Sequence, residues 1–195
     1  MEWNDGKTRC GWCSPGNPVY IEYHDHEWGI PVHDDHRLFE MLILEGFQAG
    51  LSWECVLNKR EAFRKAFDGF DAEVISRYDD RKLEALRNDP GIIRNRRKIS
   101  AARTNAKVFL EIQQECGSFA EYLWGWTGGQ VIRETGKTTS ALSDAISKDL
   151  KKRGMKFVGS TIIYAYLQAV GVIFSHEPDC FMADIPGNNP KDRKR

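Results

Sequence analysis

Hydrophobic positions recur every three or four residues along most of the chain, which is the period of amphipathic helices. The clearest pattern runs from Asp34 or Asp35, either of which is a plausible N-cap, to about Ala49. A second helix is predicted from Ser52, its N-cap, to Phe67. Further helices are predicted at 71–78, 81–88, 92–116, 119–124, 143–153 and 160–170. Because no region is rich in strand patterns, the sequence predicts an all-α fold.

Three stretches lack a regular hydrophobic period. The first 20 residues are rich in Gly, Pro, Asn and Asp and are expected to be irregular. Residues 125–139 are expected to form a long surface loop. The chain after Phe174 is expected to be irregular, with a disordered tail at 186–195. These boundaries predict one helical domain over residues 1–185.

Glu45 lies in the middle of an apolar helix face. Leu38, Met41 and Leu42 share that face, because they precede Glu45 by seven, four and three residues. A carboxylate is costly to bury there unless a polar or cationic group meets it. Glu45 is therefore either a core carboxylate held by an arginine or by backbone amides, or part of a ligand site. Glu40 falls outside this face and is expected to be solvated.

Aromatic residues bracket the predicted Glu45 helix. Tyr20, Tyr23 and Trp28 precede it, and Trp53 follows it. Stacking rings around one acid form a good receptacle for a flat, electron-poor or cationic ligand. The aromatic residues therefore favour a ligand site at Glu45.

Composition and charge set the limits for function. The chain has 195 residues, of which 41% are hydrophobic, and its formal net charge is 0. It can form one domain with a sizeable core, and a nucleic-acid partner would have to be met by a local basic patch. A polar stretch follows Met1, and no run of about 18 apolar residues occurs. We therefore expect a cytoplasmic protein without membrane contact, whose five cysteines are thiols or metal ligands.

Two short patterns could supply a metal site, one near each end of the chain. One is a Cys-x13-His pair and the other is a His-x3-Cys pair, and the four residues are Cys10, His24, His176 and Cys180. A Cys2His2 set suffices for a closed tetrahedral zinc site, which ties the chain ends together and leaves no position for a catalytic water. Cys13 and His26 are alternative ligands. The Cys10–Cys13 pair could equally be a redox Cys-x-x-Cys motif.

Two predicted helices are joined by a six-residue linker with glycine at both ends. Gly154 can adopt positive φ and end the first helix, and Gly159 lets the backbone pass close to a partner. Ser160 and Thr161 are predicted to cap the second helix, whose amides would attract an anion. The surrounding cations are Lys151, Lys152, Arg153 and Lys156. This pattern favours a phosphodiester grip over an ordinary αα-hairpin.

The predicted helix at 92–116 is also basic. Its cations are Arg94, Arg96, Arg97, Lys98, Arg103 and Lys107. This run is most simply a solvated helix face.

Four blocks of the chain are long and occur in a fixed order. They read CGWC…YIEYHDHEWG, LFEMLILEGFQAGLSW, GIIRNRRKI and LKKRGMKFVGSTIIYAYLQAVG. Together they resemble the signature blocks of the bacterial 3-methyladenine DNA glycosylase I family, and the resemblance covers roughly Cys10 to Cys180. It implies a helix-hairpin-helix glycosylase architecture with its hairpin at 154–159. Two departures are Met155, where the family more usually has an aromatic residue, and the extra Cys13.

The resemblance also implies ligands and partners. It implies a structural zinc ion held by Cys10, His24, His176 and Cys180. It implies a base pocket containing Glu45, Tyr23 and Trp53, with Tyr20, Trp12 and Trp28 nearby. The implied partners are double-stranded DNA with alkylated bases and free 3-methyladenine as product. A monomer is expected.

The implied reaction is hydrolysis of the N-glycosidic bond of a base that has been flipped out of the duplex. Leu51, at the turn before Ser52, is the expected wedge that fills the gap in the base stack. Glu45 is expected to oppose the positive charge that methylation gives adenine. Because no catalytic Asp and no Schiff-base lysine is assigned, water is the expected nucleophile and no strand cleavage is predicted.

Three other functions remain open at this level. A non-catalytic, zinc-containing DNA-binding module would keep the hairpin and the metal but would need no acid among aromatic rings. A zinc hydrolase would use three protein ligands and a metal-bound water. A thiol oxidoreductase would depend on Cys13.

Overall fold

The computed structural model describes residues 5–183, which form ten α-helices and two very short strands. The first six helices are α1 (Pro18–His26), α2 (Asp35–Gln48), α3 (Trp53–Leu57), α4 (Arg60–Ala66), α5 (Ala72–Ser76) and α6 (Asp80–Asn88). The remaining elements are α7 (Arg96–Cys116), α8 (Phe119–Gly125), β1 (Ile132–Arg133), α9 (Ala141–Lys152), α10 (Ser160–Ala169) and β2 (Ile173–Phe174). A 3-10 turn at Asp68–Phe70 joins α4 to α5. The predicted disordered tail lies outside the described residues.

Polar side chains begin several helices where the sequence predicts them. Asp34 starts α2, Ser52 starts α3 and Asp71 starts α5, and each accepts a hydrogen bond from a backbone amide in the first turn of its helix. These three predicted starts are confirmed. Within residues 5–183, no helix is both long and apolar enough to cross a membrane.

Two predicted helices have different bounds. The helix predicted at 53–67 is interrupted, because Asn58 accepts a hydrogen bond from Asn17 at 2.9 Å and Lys59 adopts non-helical dihedral angles. The helix predicted to begin at Ile92 begins four residues later. Asn95 starts it there, since its side chain accepts from the first free amides of α7.

The sequence pattern misses α1 altogether, because residues 1–20 read as irregular. Asn17 caps this helix, and Pro18 occupies its first turn, where a missing N–H costs nothing. The inward face of α1 carries Tyr20, Tyr23 and His24 instead of aliphatic residues. A period based on aliphatic side chains is therefore weak here.

Helix α2 runs through the core and has buried residues on all sides from Leu38 to Phe47. It contacts α3, α7, α8 and α10, while α10 packs against α9. Phe109 of α7 joins these helices, with its ring centroid 4.8 Å from that of Phe39 and 4.2 Å from that of Phe119. Side chains of α2 therefore face several neighbouring elements at once.

Glu40 corrects a prediction, because it is buried rather than solvated. Only 3% of the residue is exposed. The Nε atoms of Arg60 and Arg64 in α4 donate to its carboxylate at 2.7 and 2.8 Å. Burial alone would raise the pKa of Glu40, but these two guanidinium groups outweigh burial and lower it.

The strands β1 and β2 pair in parallel, with Ile132 opposite Ile173 and Arg133 opposite Phe174. The predicted loop at 125–139 is confirmed apart from β1 and the first residues that still belong to α8 and its turn. The pairing ties this loop to the segment that follows α10. It thereby brings residues after β1 to the candidate site.

Candidate active site and metal centre

A cavity of about 260 Å³ opens beside α1, α2 and α10. All six residues expected in a base pocket line it, namely Trp12, Tyr20, Tyr23, Trp28, Glu45 and Trp53. Lining residues that the sequence did not indicate include Gln48, Thr135, Gly136, Gln168 and Glu177. Residues of the loop before α9, of α10 and of the segment after α10 thus complete a pocket whose other lining residues come from the first 53 positions.

Glu45 is the deepest charged group of this cavity. It is 3% exposed, and its Oε2 atom has no hydrogen-bond partner among the described residues. Burial raises the pKa of this carboxyl to about 8. The contrast with Glu40, five residues earlier on the same helix, is direct, because Glu40 has two arginine partners. Glu45 has the environment of a ligand-binding acid rather than that of a paired core carboxylate.

Trp53 presents the complementary polar atom. Its indole Nε1 is buried and also has no partner among residues 5–183. Its ring centroid lies 5.4 Å from that of Tyr23, with the planes tilted by 48°. Trp12 packs against Trp28 at 4.8 Å and against Tyr20 at 5.3 Å. The cavity therefore combines aromatic walls with one unpaired acceptor and one unpaired donor, as a flat polar ligand requires.

The four candidate metal ligands lie together although 166 residues separate Cys10 from His176. Their ligand atoms are all within 4.8 Å of one another. The Sγ of Cys180 is 3.5 Å from both His24 Nε2 and His176 Nδ1, and the Sγ of Cys10 is 3.4 Å from the same Nδ1. Tetrahedral zinc with ordinary bond lengths places sulfur and nitrogen ligands about 3.5 Å apart. The donor set and its spacing fit a zinc ion.

The second nitrogen of each histidine ring has an oxygen partner. His24 Nδ1 lies 2.8 Å from Asp25 Oδ1, and His176 Nε2 lies 3.2 Å from the Trp28 carbonyl oxygen. Arg9 donates two hydrogen bonds to Asp25. Such partners orient metal-binding imidazoles and select the tautomer. Burial lowers the pKa of both histidines, to about 4 for His176, so both rings are neutral, which is the ligand form.

The two alternative ligands lie outside this group. The Cys13 thiol is buried and points to the Tyr20 carbonyl oxygen at 3.9 Å. His26 is exposed and pairs with Glu22. Both alternatives differ from the clustered residues in the direction of their side chains, which spacing along the chain does not reveal.

The metal group and the cavity share a wall. Trp12 contacts His24 with ring centroids 5.2 Å apart, and Trp28 contacts His176 at 4.6 Å. Glu177, next to His176, accepts a hydrogen bond from the Gly11 amide at 2.9 Å and lines the cavity. The group at the chain ends therefore positions residues of the pocket.

The linker between α9 and α10 has the predicted glycine geometry. Gly154 adopts φ +106° at the end of α9. The predicted caps Ser160 and Thr161 are wrong, because the N-cap position is Gly159 and no side chain in the described part of the chain caps α10. The Ser160 hydroxyl instead bonds to Ser143 and Asp144 of α9, since it points toward that helix. Within residues 5–183, the first amides of α10 thus have no side-chain acceptor that caps the helix.

Helix α7 holds both the linker and the end of α2. Asn105 exchanges two hydrogen bonds with the backbone of Lys156, at 2.9 and 2.8 Å. Lys98 is buried and donates to the carbonyls of Phe47 and Ala49, so its assignment to a solvated face is wrong. The carbonyls at a helix end attract a cation, which explains its burial. Leu51 follows in the turn after α2 and is 43% exposed.

A model of the methyladenine glycosylase family matches residues 12–183. The chain belongs to this family. It is 46% identical over 189 residues to DNA-3-methyladenine glycosylase 1 of Escherichia coli (strain K12), covering 93% of this chain and 99% of the relative. It is also 41% identical over 180 residues to DNA-3-methyladenine glycosylase of Haemophilus influenzae, covering 89% and 96%.

Solved structures of methyladenine glycosylases share the fold. A crystal structure of 3-methyladenine DNA glycosylase I is 45% identical, with a TM-score of 0.86, and the match covers 89% of this chain and 98% of the other. A Staphylococcus aureus relative, whose structure describes recognition of 3-methyladenine, is 34% identical with a TM-score of 0.86, covering 91% and 99%. The predicted helical fold and the predicted family are therefore confirmed.

Proposed function

We propose that this member of the methyladenine glycosylase family is a DNA repair enzyme that flips 3-methyladenine out of duplex DNA and hydrolyses its N-glycosidic bond. The observation that carries the proposal is Glu45, a buried acid that lines an aromatic-walled cavity and whose Oε2 atom has no hydrogen-bond partner among residues 5–183. The names of the relatives, DNA-3-methyladenine glycosylases, agree with this activity.

The pocket recognises the charge of the lesion. Methylation at N3 makes adenine cationic while it is attached to the sugar. Ring faces such as those of Trp53 and Tyr23 attract a cation by about 0.5–2 kcal/mol per good contact. An ionised Glu45 attracts the same cation, and this attraction offsets the cost of ionising a buried carboxyl. Unmodified adenine brings no such charge and is held poorly.

The chemistry follows from the leaving group. The bond between C1′ and N9 breaks, and its electron pair neutralises the cationic base, which leaves as free 3-methyladenine. Water attacks the resulting sugar cation at C1′ and releases a proton to solvent. No lysine is among the cavity-lining residues in the described part of the chain. A Schiff base and strand cleavage are therefore not expected.

The linker at 154–159 serves as the hairpin of a helix-hairpin-helix DNA grip. The amides of Gly159, Ser160 and Thr161 lie at the start of α10, which no side chain of the described residues caps, and Gly154 and Lys156 belong to the linker that leads to them. Such amides bind a backbone phosphate without reading bases. Leu51, exposed at the turn after α2, is the wedge that fills the space left by the flipped base.

A zinc ion at Cys10, His24, His176 and Cys180 completes the proposal. When bound, this ion supplies a structural cross-link between the two chain ends, because all four positions are protein ligands. The same residues back the cavity through Trp12 and Trp28. We further propose a monomeric enzyme in the cytoplasm, since one chain contains the whole pocket and the substrate is cellular DNA.

The decisive experiment incubates the full chain, loaded with zinc, with methylated duplex DNA and identifies the released bases by chromatography. We expect release of 3-methyladenine with little 7-methylguanine. Glu45→Gln should reduce both base release and binding of free 3-methyladenine. Absence of release from folded wild-type protein that still binds duplex DNA would overturn the proposal in favour of a non-catalytic DNA-binding module.

The wedge is tested separately by Leu51→Ala. Because Leu51 is exposed, this change should leave the melting temperature unchanged. Excision from duplex DNA should fall about tenfold, which corresponds to roughly 1.4 kcal/mol. Excision from single-stranded DNA should change little, because no base pair has to be opened. An equal loss on both substrates would contradict the wedge role.

A further inference from the structure

A second, larger cavity lies on the surface at the start of α7. Its volume is about 590 Å³, and it is lined by α6, α7 and the hairpin. The cationic residues in its lining are Arg87, Arg96, Arg97 and Lys156. Its other lining residues are Ser100, Ala101, Thr104 and Phe157, so no carboxylate of the described part of the chain lines it. The proposed cleavage of the glycosidic bond involves none of these lining residues.

The cavity lies between the two proposed DNA contacts. Lys98, in the first turn of α7, donates to the Ala49 carbonyl at 2.6 Å, two residues before Leu51. The same Nζ lies 5.8 Å from the ring centroid of Phe157 in the hairpin. The start of α7 therefore bridges the wedge turn and the hairpin. A duplex that contacts both must pass close to Arg96 and Arg97.

The charges of the cavity are largely unneutralised by the protein. Arg96, Arg97 and Lys156 are exposed, and none of them forms an ion pair within residues 5–183. Arg87 is held by Glu84 at 2.9 Å and by Ser100 at 3.2 Å, and Glu84 also interacts electrostatically with Arg96 without forming an ion pair with it. Like charges gathered in one concave site repel each other and attract an anion.

The cations from the two elements have a fixed relative position. Asn105 is 4% exposed and exchanges two hydrogen bonds with the backbone of Lys156, which fastens the hairpin to α7. Phe157 also packs against α2, because a β-carbon added at Gly46 would lie 3.6 Å from the β-carbon of Phe157. The hairpin is thus held between α7 and α2. A site with a fixed backbone loses little freedom on binding.

We propose that this cavity binds a backbone phosphodiester of DNA, in addition to the phosphate held by the hairpin amides. The planar guanidinium groups of Arg96 and Arg97 suit bidentate contacts with phosphate oxygens, and Lys156 adds a point charge between the two phosphate positions. The inference rests on the proposed function, because its ligand is the DNA that the enzyme repairs. It deepens that function by defining a longer path for the duplex.

The test uses the full zinc-loaded chain and a duplex with a stable abasic-site analogue at its centre. Each phosphate near the analogue is replaced in turn by a neutral methylphosphonate, and the affinity is measured. For the wild type, we expect replacement to weaken binding at the phosphates that contact the hairpin and at one or more further phosphates. Arg96→Ala/Arg97→Ala should bind about tenfold more weakly and should respond only at the hairpin positions. A plot of the logarithm of its binding constant against the logarithm of the salt concentration should become less steep by about one unit for each lost phosphate contact.

The matched control removes two positive charges elsewhere. Lys65→Ala/Arg81→Ala alters two exposed cations that do not line the cavity, and it should keep the wild-type methylphosphonate pattern. Melting temperatures of both double variants should equal that of the wild type. An unchanged methylphosphonate pattern in Arg96→Ala/Arg97→Ala, or an equal loss of affinity in the control, would overturn the proposal.

The binding assay also separates this inference from the repair reaction. Affinity for the abasic duplex requires no bond cleavage, so the phosphate pattern is read even if no base is released. A wild-type chain that shows the extra phosphate positions but releases no 3-methyladenine would support this site and overturn the proposed enzyme activity. A chain that releases the base but lacks the extra positions would overturn only this inference.

Discussion

The Nζ atom of Lys98 donates a hydrogen bond to the backbone carbonyl of Ala49 at 2.6 Å. Ala49 is the C-cap of α2, the helix that carries Glu45, and the same Nζ also donates to Phe47 at 2.8 Å. One buried cation from α7 thereby satisfies carbonyls that the helix end leaves without partners. This contact joins the helix of Glu45, the Leu51 turn and the start of α7 in one arrangement.

Lys98→Met should lower the free energy of unfolding by about 2 kcal/mol, because hydrogen bonds from a charged donor to one buried and one partly buried carbonyl are lost. Urea denaturation at neutral pH measures this change. Arg97→Met, next to Lys98 but exposed, should change the free energy by less than about 0.5 kcal/mol. Equal stability of Lys98→Met and wild type would show that the contact does not hold the end of α2.

Glu45 should make the protein less stable as the pH rises. Burial raises the pKa of its carboxyl from 4.5 to about 8, so the folded chain keeps a proton that the unfolded chain releases in this window. Stability should therefore fall between about pH 4.5 and 8, with each unit of pKa shift worth about 1.4 kcal/mol. Urea unfolding at a series of pH values should show this slope in the wild type and its loss in Glu45→Gln.

Glu40 is the matched control on the same helix, because its pKa is shifted in the opposite direction. Burial opposes ionisation, but hydrogen bonds from Arg60 and Arg64 lower the pKa of the Glu40 carboxyl below 4.5. Its contribution to stability is present above the unfolded pKa and is lost as the pH falls through the folded value. Glu40→Gln should therefore destabilise the protein at pH 7. A pH slope in Glu45→Gln equal to that of the wild type would assign the effect to another group.

The proposed zinc site predicts different outcomes for two buried cysteines. Cys180→Ser should abolish zinc binding and lower the melting temperature by roughly 10 °C, because loss of about 4 kcal/mol has that effect in a chain of this size. Cys13→Ser should keep one zinc per chain, since the Cys13 thiol points toward the Tyr20 carbonyl. Elemental analysis of the purified variants measures zinc content. Zinc lost from Cys13→Ser but kept in Cys180→Ser would refute the proposed ligand set.

The two hairpin glycines should respond differently to alanine. Gly154 adopts φ +106°, so Gly154→Ala should cost about 1–3 kcal/mol of stability. Gly159 has φ −63°, and an added β-carbon would meet open space among the described residues outside its own backbone, so Gly159→Ala should fold normally. The added methyl group should nevertheless lower duplex affinity about tenfold, because the proposed DNA grip places a phosphate against this backbone. Thermal unfolding and duplex titration of both variants test the pair of expectations.

Local chemistry explains which features could be predicted. Asp34, Ser52 and Asp71 begin helices because each side chain reaches an amide two or three residues ahead. Gly154 marks the end of α9 for an equally local reason. The exception is α1, whose inward face consists of polar aromatic residues and so does not produce an aliphatic period.

The sequence by itself determined the helical class, most helix starts, the position of Glu45 on an apolar face and the family to which the chain belongs. The tertiary structure alone decided which groups meet. Glu40 and Glu45 lie on one helix, and only the packing of α4 gives arginines to the first and none to the Oε2 of the second. His24 and His26 share α1, and its orientation buries one and exposes the other. Contacts between distant segments depend on three-dimensional packing, which periodicity along one segment does not encode.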